Sequence, residues 1–434
     1  MNIPVILNGN KIILEAQADE PLMSVLQKKG CSSVKCGCNE GSCGSCTVLL
    51  EDKPIPSCKV PVGIVRDEKI VTLESFSKTN EYSLIMQGFE KAGIKMCGYC
   101  NSGKIFSAYQ IFKQNKNFTR AEITEQVRHL APCCTDLETL VNGIVYAISL
   151  REAKTSRTRM VRTTRKRQVM SKIVYYAKNT AELLYQLKTN KGLEVVGGLT
   201  KVETQPEKAI SVHGISDLCQ IVKHERYIDI GPGATLSDIL AMGKNHIPQV
   251  LYDALDCIAN PIVRNIATIG GNICSPGQKL TSFASLMALD AKLEFKNQTE
   301  TKPESILNFK GVPQGYILSN IKVPIVDEDL SIFRRIGPEH TITDQSASFA
   351  FIASTEKNTI TNIRLAFAGP FTFRSKEFES SIVGEKLPLT HKEIEKILEQ
   401  VKEEFRKAAT DKMVSDVVCQ QFFNLTRYSF EQLT

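Results

Sequence analysis

Cys38, Cys43, Cys46 and Cys58 follow the spacing C-x4-C-x2-C-x11-C, and Gly37, Gly41 and Gly44 are interleaved with them in "CGCNEGSCGSC". Four thiols on so loose a backbone suit a [2Fe–2S] cluster, whose two irons need thiolates converging from a chain folded tightly around them. Glycines permit the unusual dihedrals of such a loop. They also let main-chain N–H groups reach the cluster sulfurs, where they stabilise added negative charge and raise the reduction potential. A zinc ribbon is the competing reading, but it usually presents two separated C-x2-C knuckles. Cys31 and Cys36 are surplus to the pattern and read as a packed residue or a spare thiol.

This spacing is the plant-type ferredoxin one. A second set of thiols follows it: Cys97 and Cys100 in "MCGYCNSGK", then Cys133 and Cys134 in "HLAPCCTDLE", each pair just ahead of a helical pattern. Helix N-termini carry partial positive charge and unbonded N–H groups, which lower thiol pKa and suit an anionic cluster. These positions could hold a second buried [2Fe–2S] cluster. The alternative is a structural helical domain with leftover thiols. Ten of the fourteen cysteines precede residue 135. Clustered thiols in a long chain with no basic-then-apolar leader favour metal chemistry in a reducing compartment, so a cytoplasmic protein without a signal peptide is expected.

Two glycine pairs lie further on, "VVGGLTKVE" and "RNIATIGGNICSP". Each closes a strand-like run, and paired glycines let main-chain N–H groups approach a pyrophosphate where a Cβ would clash. Plain tight turns are the alternative. No G-x-G-x-x-G follows a first strand, so a Rossmann site is not indicated.

The elements that must position these residues form four blocks. Residues 1–78 read as a β-grasp: two alternating strands around Asn8-Gly9, a helix "PLMSVLQKKG" closed by Gly30, the cysteine loop, then "CTVLLED" and "EKIVTLES". Residues 79–150 read as helical. One helix has Ile105, Ala108, Tyr109 and Phe112 on a face, and capping boxes are expected at Thr119 with Glu122 and Thr135 with Glu138. Residues 171–325 alternate strands and helices. Residues 326–434 give two strands and then two helices, the first capped by Thr390 with Glu393.

Between the second and third blocks, residues 151–170 carry much of the net charge of +7 and have no apolar period, which reads as a solvated linker, with an anionic partner or a chain-to-chain contact as the alternative. A short basic tract without interleaved aromatics gives no nucleic-acid site, and no run approaches the roughly 20 apolar residues of a membrane span. The six histidines are scattered, and no catalytic acid or base is assigned.

The ferredoxin-type loop, followed by a helical segment with Cys-Gly-Tyr-Cys and a late cysteine pair, resembles the iron–sulfur part of the xanthine dehydrogenase, or molybdenum hydroxylase, family. The resemblance covers residues 1–150, including "LNGNKI" and "GSCGSCTV". The family's late pair is C-x-C followed by Thr-Gly-Tyr. A gapless alignment puts Pro132 and Cys134 at those two positions, with Cys133 between them. Cys97, Cys100 and Cys134 thus transfer by position and Cys133 by proximity. Residues 171–434 resemble the FAD-binding part of the same family. That resemblance implies flavin contacts at Val195, Val196, Gly197, Gly198, Leu199, Thr200 and Lys201, and a second loop of Thr268, Gly270, Gly271 and Asn272. It also implies a packed hydrophobe at Leu318 and a basic residue at Arg334. The chain departs from the family at "SPGQKLTS", where Ser-Asp is usual, and at Ile258, where an aromatic is often seen.

The family implies an α+β multidomain fold. Its parts are a ferredoxin-like domain, a helical [2Fe–2S]-binding domain, a two-subdomain α/β flavin domain of the vanillyl-alcohol-oxidase and CO-dehydrogenase flavoprotein type, and a small α+β C-terminal domain. It implies two [2Fe–2S] clusters and FAD, with NAD+ or another molecule as the electron acceptor. Residues 171–434 are taken up by the flavin blocks, so the molybdopterin centre is expected on a large partner subunit, in a heterodimer or dimer of heterodimers, acting on purines or related N-heterocycles. The alternatives are a stand-alone FAD and iron–sulfur reductase, or a scaffold that has lost one cofactor.

Overall fold

The computed structural model describes residues 2–114, 118–130, 134–154, 174–190, 192–200, 208–277, 279, 281–337, 342–343, 346–409 and 414–433. The chain opens with a hairpin, Asn2–Leu7 against Asn10–Glu15. Its turn residues Asn8 and Gly9 have φ of 51° and 87°. An Asn-Gly pair accepts such angles, and they match the twist of the flanking strands. Lys69–Val71 lies parallel to the first strand, and Thr47–Leu50 and Lys53–Pro56 complete a five-stranded sheet. Leu22–Lys28 is the helix packed on it, burying Leu22, Met23, Val25 and Leu26. The cysteine loop hangs between that helix and the strand Thr47–Leu50.

A short helix, Leu73–Phe76, and four longer ones, Asn80–Lys91, Asn101–Lys113, Arg120–Val127 and Leu137–Lys154, follow among the described residues, around a core that includes Phe76, Phe89, Phe106 and Ile144. The capping box of Thr119 with Glu122 is present. The one expected at Thr135 is not: the helix starts one residue later, at Leu137, and the Asp136 carboxylate accepts from the Thr139 amide at 2.9 Å. A carboxylate is the stronger partner for the positive end of a helix, and Thr135 is buried instead.

The helical unit meets the cysteine loop backbone to backbone. Gly44 has φ of 74°. A Cβ on Gly103 would stand 2.8 Å from Gly44 Cα and 2.9 Å from its carbonyl oxygen. Beside this contact Ser102 Oγ donates to the Ser33 carbonyl at 3.0 Å, and the Tyr99 hydroxyl donates to the Cys36 carbonyl.

The described residues of the remainder form three sheets. Val174–Tyr175, Lys208–Ser211 and Leu193–Val196 form a small parallel sheet with the helix Thr180–Thr189 between its strands in sequence. A five-stranded antiparallel sheet runs Thr301–Ser305, Lys292–Lys296, Ile317–Pro324, Tyr227–Ile230, Ile221–Lys223. A four-stranded meander, Leu330–Ile336, Ala347–Glu356, Thr359–Ala368 and Thr372–Phe373, stands between two cores. Alternation decides which side chain goes where: Ala350, Ile352 and Ala366 face the flavin-region core, whereas Phe349, Phe351 and Phe367 face the C-terminal helices. Those helices number three among the described residues, not the expected two, because Lys376–Ile382 precedes His391–Ala408 and Asp416–Glu431. Thr390 and Glu393 make the expected box. Buried Arg374 ties the two cores, its guanidinium 2.8 Å from both Asp290 and Glu379. Most of the basic tract lies outside the described residues. Among the described residues no helix is long and apolar enough to cross a membrane.

Because the atoms that a Gly103 side chain would meet are main chain, they cannot rotate away. Gly103→Ala should lower stability by about 1–3 kcal/mol, the usual penalty of overpacking. A thermal unfolding midpoint equal to that of the wild type would show that the two backbones are not in contact.

Candidate functional site

Four cysteines of the first loop come together as two pairs. The amide of Cys38 donates to Cys43 Sγ and the amide of Cys43 donates to Cys38 Sγ, each at 3.4 Å, and the Glu40 amide adds a bond to Cys38 Sγ at 3.3 Å. Cys46 and Cys58 hydrogen-bond through their thiols, and the Gly41 amide reaches Cys58. The charge of Cys38 acts on both members of that second pair. Two pairs of sulfurs are what a binuclear centre requires, two ligands to each iron. The electrostatics agree. Burial opposes ionisation of Cys38, but the Ser42 hydroxyl and the Cys43 and Glu40 amides hold it down to about 6. The Cys58 thiol holds Cys46 at about 7 by donating to it, and is itself pushed up. The surplus thiols part company: Cys31 is buried in the sheet core, and exposed Cys36 donates to Asn39 Oδ1 at 3.4 Å.

In the helical unit the sulfurs of Cys97, Cys100 and Cys134 all lie within 4.8 Å of one another. Cys100 is the N-cap of Asn101–Lys113, and Cys134 stands just before Leu137–Lys154, so both helices turn their positive ends to the same point. Cys133 lies outside the described residues. Burial pushes Cys134 up, but the Cys97 amide, the Lys104 ammonium and the Thr135 hydroxyl together bring it down to about 6. Lys104 Nζ donates to Cys134 Sγ at 3.2 Å. This converging, donor-supplied thiol set fits an anionic cluster.

The two glycine loops are in contact. A Cβ on Gly198 would stand 1.9 Å from the Ile266 carbonyl oxygen, and one on Gly197 would stand 2.4 Å from Thr268 Oγ1. Among the described residues the amides of Gly197, Gly198, Leu199 and Thr200 donate to no main-chain carbonyl. The amides of the second loop are engaged: Gly270 donates to the Pro232 carbonyl at 2.9 Å and Gly271 to Thr268 Oγ1 at 3.1 Å. The unbonded donors therefore sit on the first loop, and the second forms a fixed floor under it. Consecutive unbonded amides fit a pyrophosphate, and the missing side chains of Gly197 and Gly198 let the two loops meet. Asn272 Oδ1 accepts from the Ser282 hydroxyl and amide, which holds the following segment in place. Val195 is exposed and Val196 buried at the end of the leading strand, and Lys201 lies outside the described residues. Leu318 is buried in the core of the five-stranded sheet. Arg334 is exposed, its Nη1 donating to the Phe333 carbonyl at 2.7 Å. The contacts joining the two glycine loops involve neither Leu318 nor Arg334.

One segment, 260–268, joins the first thiol set to the glycine loops. Asn260 Nδ2 donates to the Gly41 carbonyl at 2.9 Å and Asn265 Nδ2 to the Pro54 carbonyl at 2.8 Å. Ile266 is buried in the ferredoxin-sheet core, and Leu199 packs on that same core. Sequence reading passed over these residues and Lys104. The available signals were two asparagines bracketing "PIVR", and a lysine one turn after Cys100 beside an apolar stripe.

Three known families match in order along the chain: "2Fe-2S iron-sulfur cluster binding domain" over residues 5–69, "[2Fe-2S] binding domain" over 72–145, and "FAD binding domain in molybdopterin dehydrogenase" over 167–326. The nicotinate dehydrogenase small FeS subunit of Eubacterium barkeri is 33% identical over 143 residues, covering 33% of this chain and 91% of that one. The xanthine dehydrogenase iron-sulfur-binding subunit of Escherichia coli O157:H7 is 31% identical over 147 residues, 33% of this chain and 92% of that one. A carbon monoxide dehydrogenase structure from Hydrogenophaga pseudoflava shares the fold over 60% of this chain and 95% of its own, with a TM-score of 0.51 and 16% identity. Identity at this level across nearly the whole of two iron–sulfur subunits, with the flavin family continuing in the same polypeptide, settles the kinship: the chain belongs to the xanthine dehydrogenase, or molybdenum hydroxylase, family, as an electron-transfer oxidoreductase polypeptide with two [2Fe–2S]-binding domains and an FAD-binding domain.

Proposed function

We propose that this polypeptide takes electrons from a molybdopterin-containing large subunit and passes them through two clusters to FAD, then on to NAD+ or another acceptor. Cys97, Cys100 and Cys134, with Cys133 as fourth ligand, hold the cluster nearer that partner. Cys38, Cys43, Cys46 and Cys58 hold the one nearer the flavin. FAD lies on Gly197, Gly198, Leu199 and Thr200 over the floor of Thr268, Gly270, Gly271 and Asn272, with Val195, Val196, Lys201, Leu318 and Arg334 around it. Iron–sulfur clusters pass single electrons, and a flavin can collect two. Hydroxylation of an N-heterocycle takes place on the partner, in a cytoplasmic heterodimer or dimer of heterodimers.

The observation that carries this reading is contiguity. The Cys97 set touches the first thiol loop through Gly44 and Gly103, and that loop touches the glycine cradle through Asn260 and Ile266. Three sites joined in sequence by these contacts support a conduit.

Anaerobic isolation of the complex should give about four irons and one flavin per chain, molybdenum in a co-purifying subunit, and two [2Fe–2S] signals by electron paramagnetic resonance after reduction. Two irons with a single signal would exclude the second cluster. Full iron and flavin without molybdenum would favour a stand-alone reductase.

The cradle can be tested separately. Gly198→Ala pushes a methyl onto a main-chain oxygen, so flavin content should fall severalfold while iron content stays at the wild-type level. Undiminished flavin in Gly198→Ala would move the cofactor elsewhere.

A further inference from the structure

We propose that Lys104 sets the reduction potential of the second [2Fe–2S] cluster, holding it more positive than its ligands alone would. The inference rests on the reading that Cys97, Cys100 and Cys134 ligate that cluster.

Lys104 is 1% exposed, buried on the helix Asn101–Lys113 among Gly103, Ile105 and Phe106. Lysine is almost never so buried without a partner, because an ammonium removed from water is strongly destabilised. Among the described residues its hydrogen-bond partner is a sulfur, Cys134 Sγ at 3.2 Å, and no carboxylate forms an ion pair with it. The placement follows from helix geometry. Lys104 lies one turn after Cys100, to whose carbonyl its amide donates at 3.4 Å. Helical side chains lean toward the N-terminus, which carries Nζ back over the cysteines.

The negative charge that balances this cation is the thiolate-ligated cluster. One-electron reduction adds one unit of negative charge there, with no bond made or broken and no proton required. In a low-dielectric interior a fixed cation favours the more negative state by more than it favours the other. The N–H···S bond to a ligand sulfur acts in the same direction. A merely space-filling side chain would be served equally well by methionine.

The test is an anaerobic redox titration of the isolated complex, with dithionite as electron donor, followed by paramagnetic resonance. Cys100→Ser identifies the second cluster's signal as the one it abolishes. In Lys104→Met, iron content should be unchanged. The midpoint of that signal should move negative by at least about tenfold in the one-electron equilibrium, which is about 59 mV. The other signal should stay in place, and Lys104→Arg should keep the wild-type midpoint. Unmoved midpoints in an iron-replete Lys104→Met protein would overturn the inference. So would equal shifts of both signals, or loss of the second signal in Lys104→Met with Lys104→Arg intact, which would make Lys104 an assembly residue. A wild-type protein with a single signal would overturn the ligand reading, and the inference with it.

Discussion

Two backbones touch at Gly44 and Gly103 with no side chain between them, and the path through the molecule depends on that absence. Cys43 and Cys46 flank one glycine, and Cys100 lies three residues before the other. A Cβ on Gly103 would press on Gly44 main chain, and one on Gly44 would meet the Leu130 side chain at 2.9 Å and Gly103 Cα at 3.0 Å. The positive φ of Gly44 adds a second restriction, since other residues reach that region only under strain. Proximity between the sites is thus built from two missing methyl groups. The Ser102 and Tyr99 hydrogen bonds to loop carbonyls then fix the orientation of the joint.

Charge is the second constraint. Thiolates gathered in a protein interior are tolerable only where donors or cations surround them. The first loop uses neutral donors: amides of Cys38, Glu40, Gly41 and Cys43 point at sulfur. The second set combines two helix N-termini with a full positive charge at Lys104. Both devices lower thiol pKa, as the values near 6 for Cys38 and Cys134 show. They differ in how strongly they respond to one more electron, since a whole cation acts over a longer range than an amide dipole. The two sites are therefore electrostatically unlike despite their shared ligand chemistry.

Much of this was legible in the sequence wherever a local rule was decisive. Asn8-Gly9 specified the hairpin, Thr119 with Glu122 and Thr390 with Glu393 specified helix starts, and the cysteine spacing specified the first thiol set. Local rules failed where two candidates competed or where the deciding contact was distant. Asp136 took the cap expected of Thr135 because both stood beside the helix start and the carboxylate was the stronger acceptor. The engaged amides of Gly270 and Gly271 were hidden because one of their acceptors, Pro232, lies far away in sequence. Asn260 and Asn265 resemble ordinary turn residues until their partners across the joint, Gly41 and Pro54, are seen.

Those asparagines also bear on how the modules are joined. At both joints the ferredoxin module offers main-chain carbonyls, those of Ser33, Cys36, Gly41 and Pro54, and the donors are side chains of the neighbouring module. A carbonyl is present whatever residue carries it, so these four hydrogen bonds survive a change of sequence on the ferredoxin side, provided its backbone path is kept. Tyr99, Ser102, Asn260 and Asn265 read those carbonyls, and the exposed ion pairs of Lys53 with Asp238 and Lys113 with Asp52 add side-chain contacts from the ferredoxin module itself. Such joints do not need a covalent link between the iron–sulfur and flavin parts. Docking depends on backbone shape and a few buried amides.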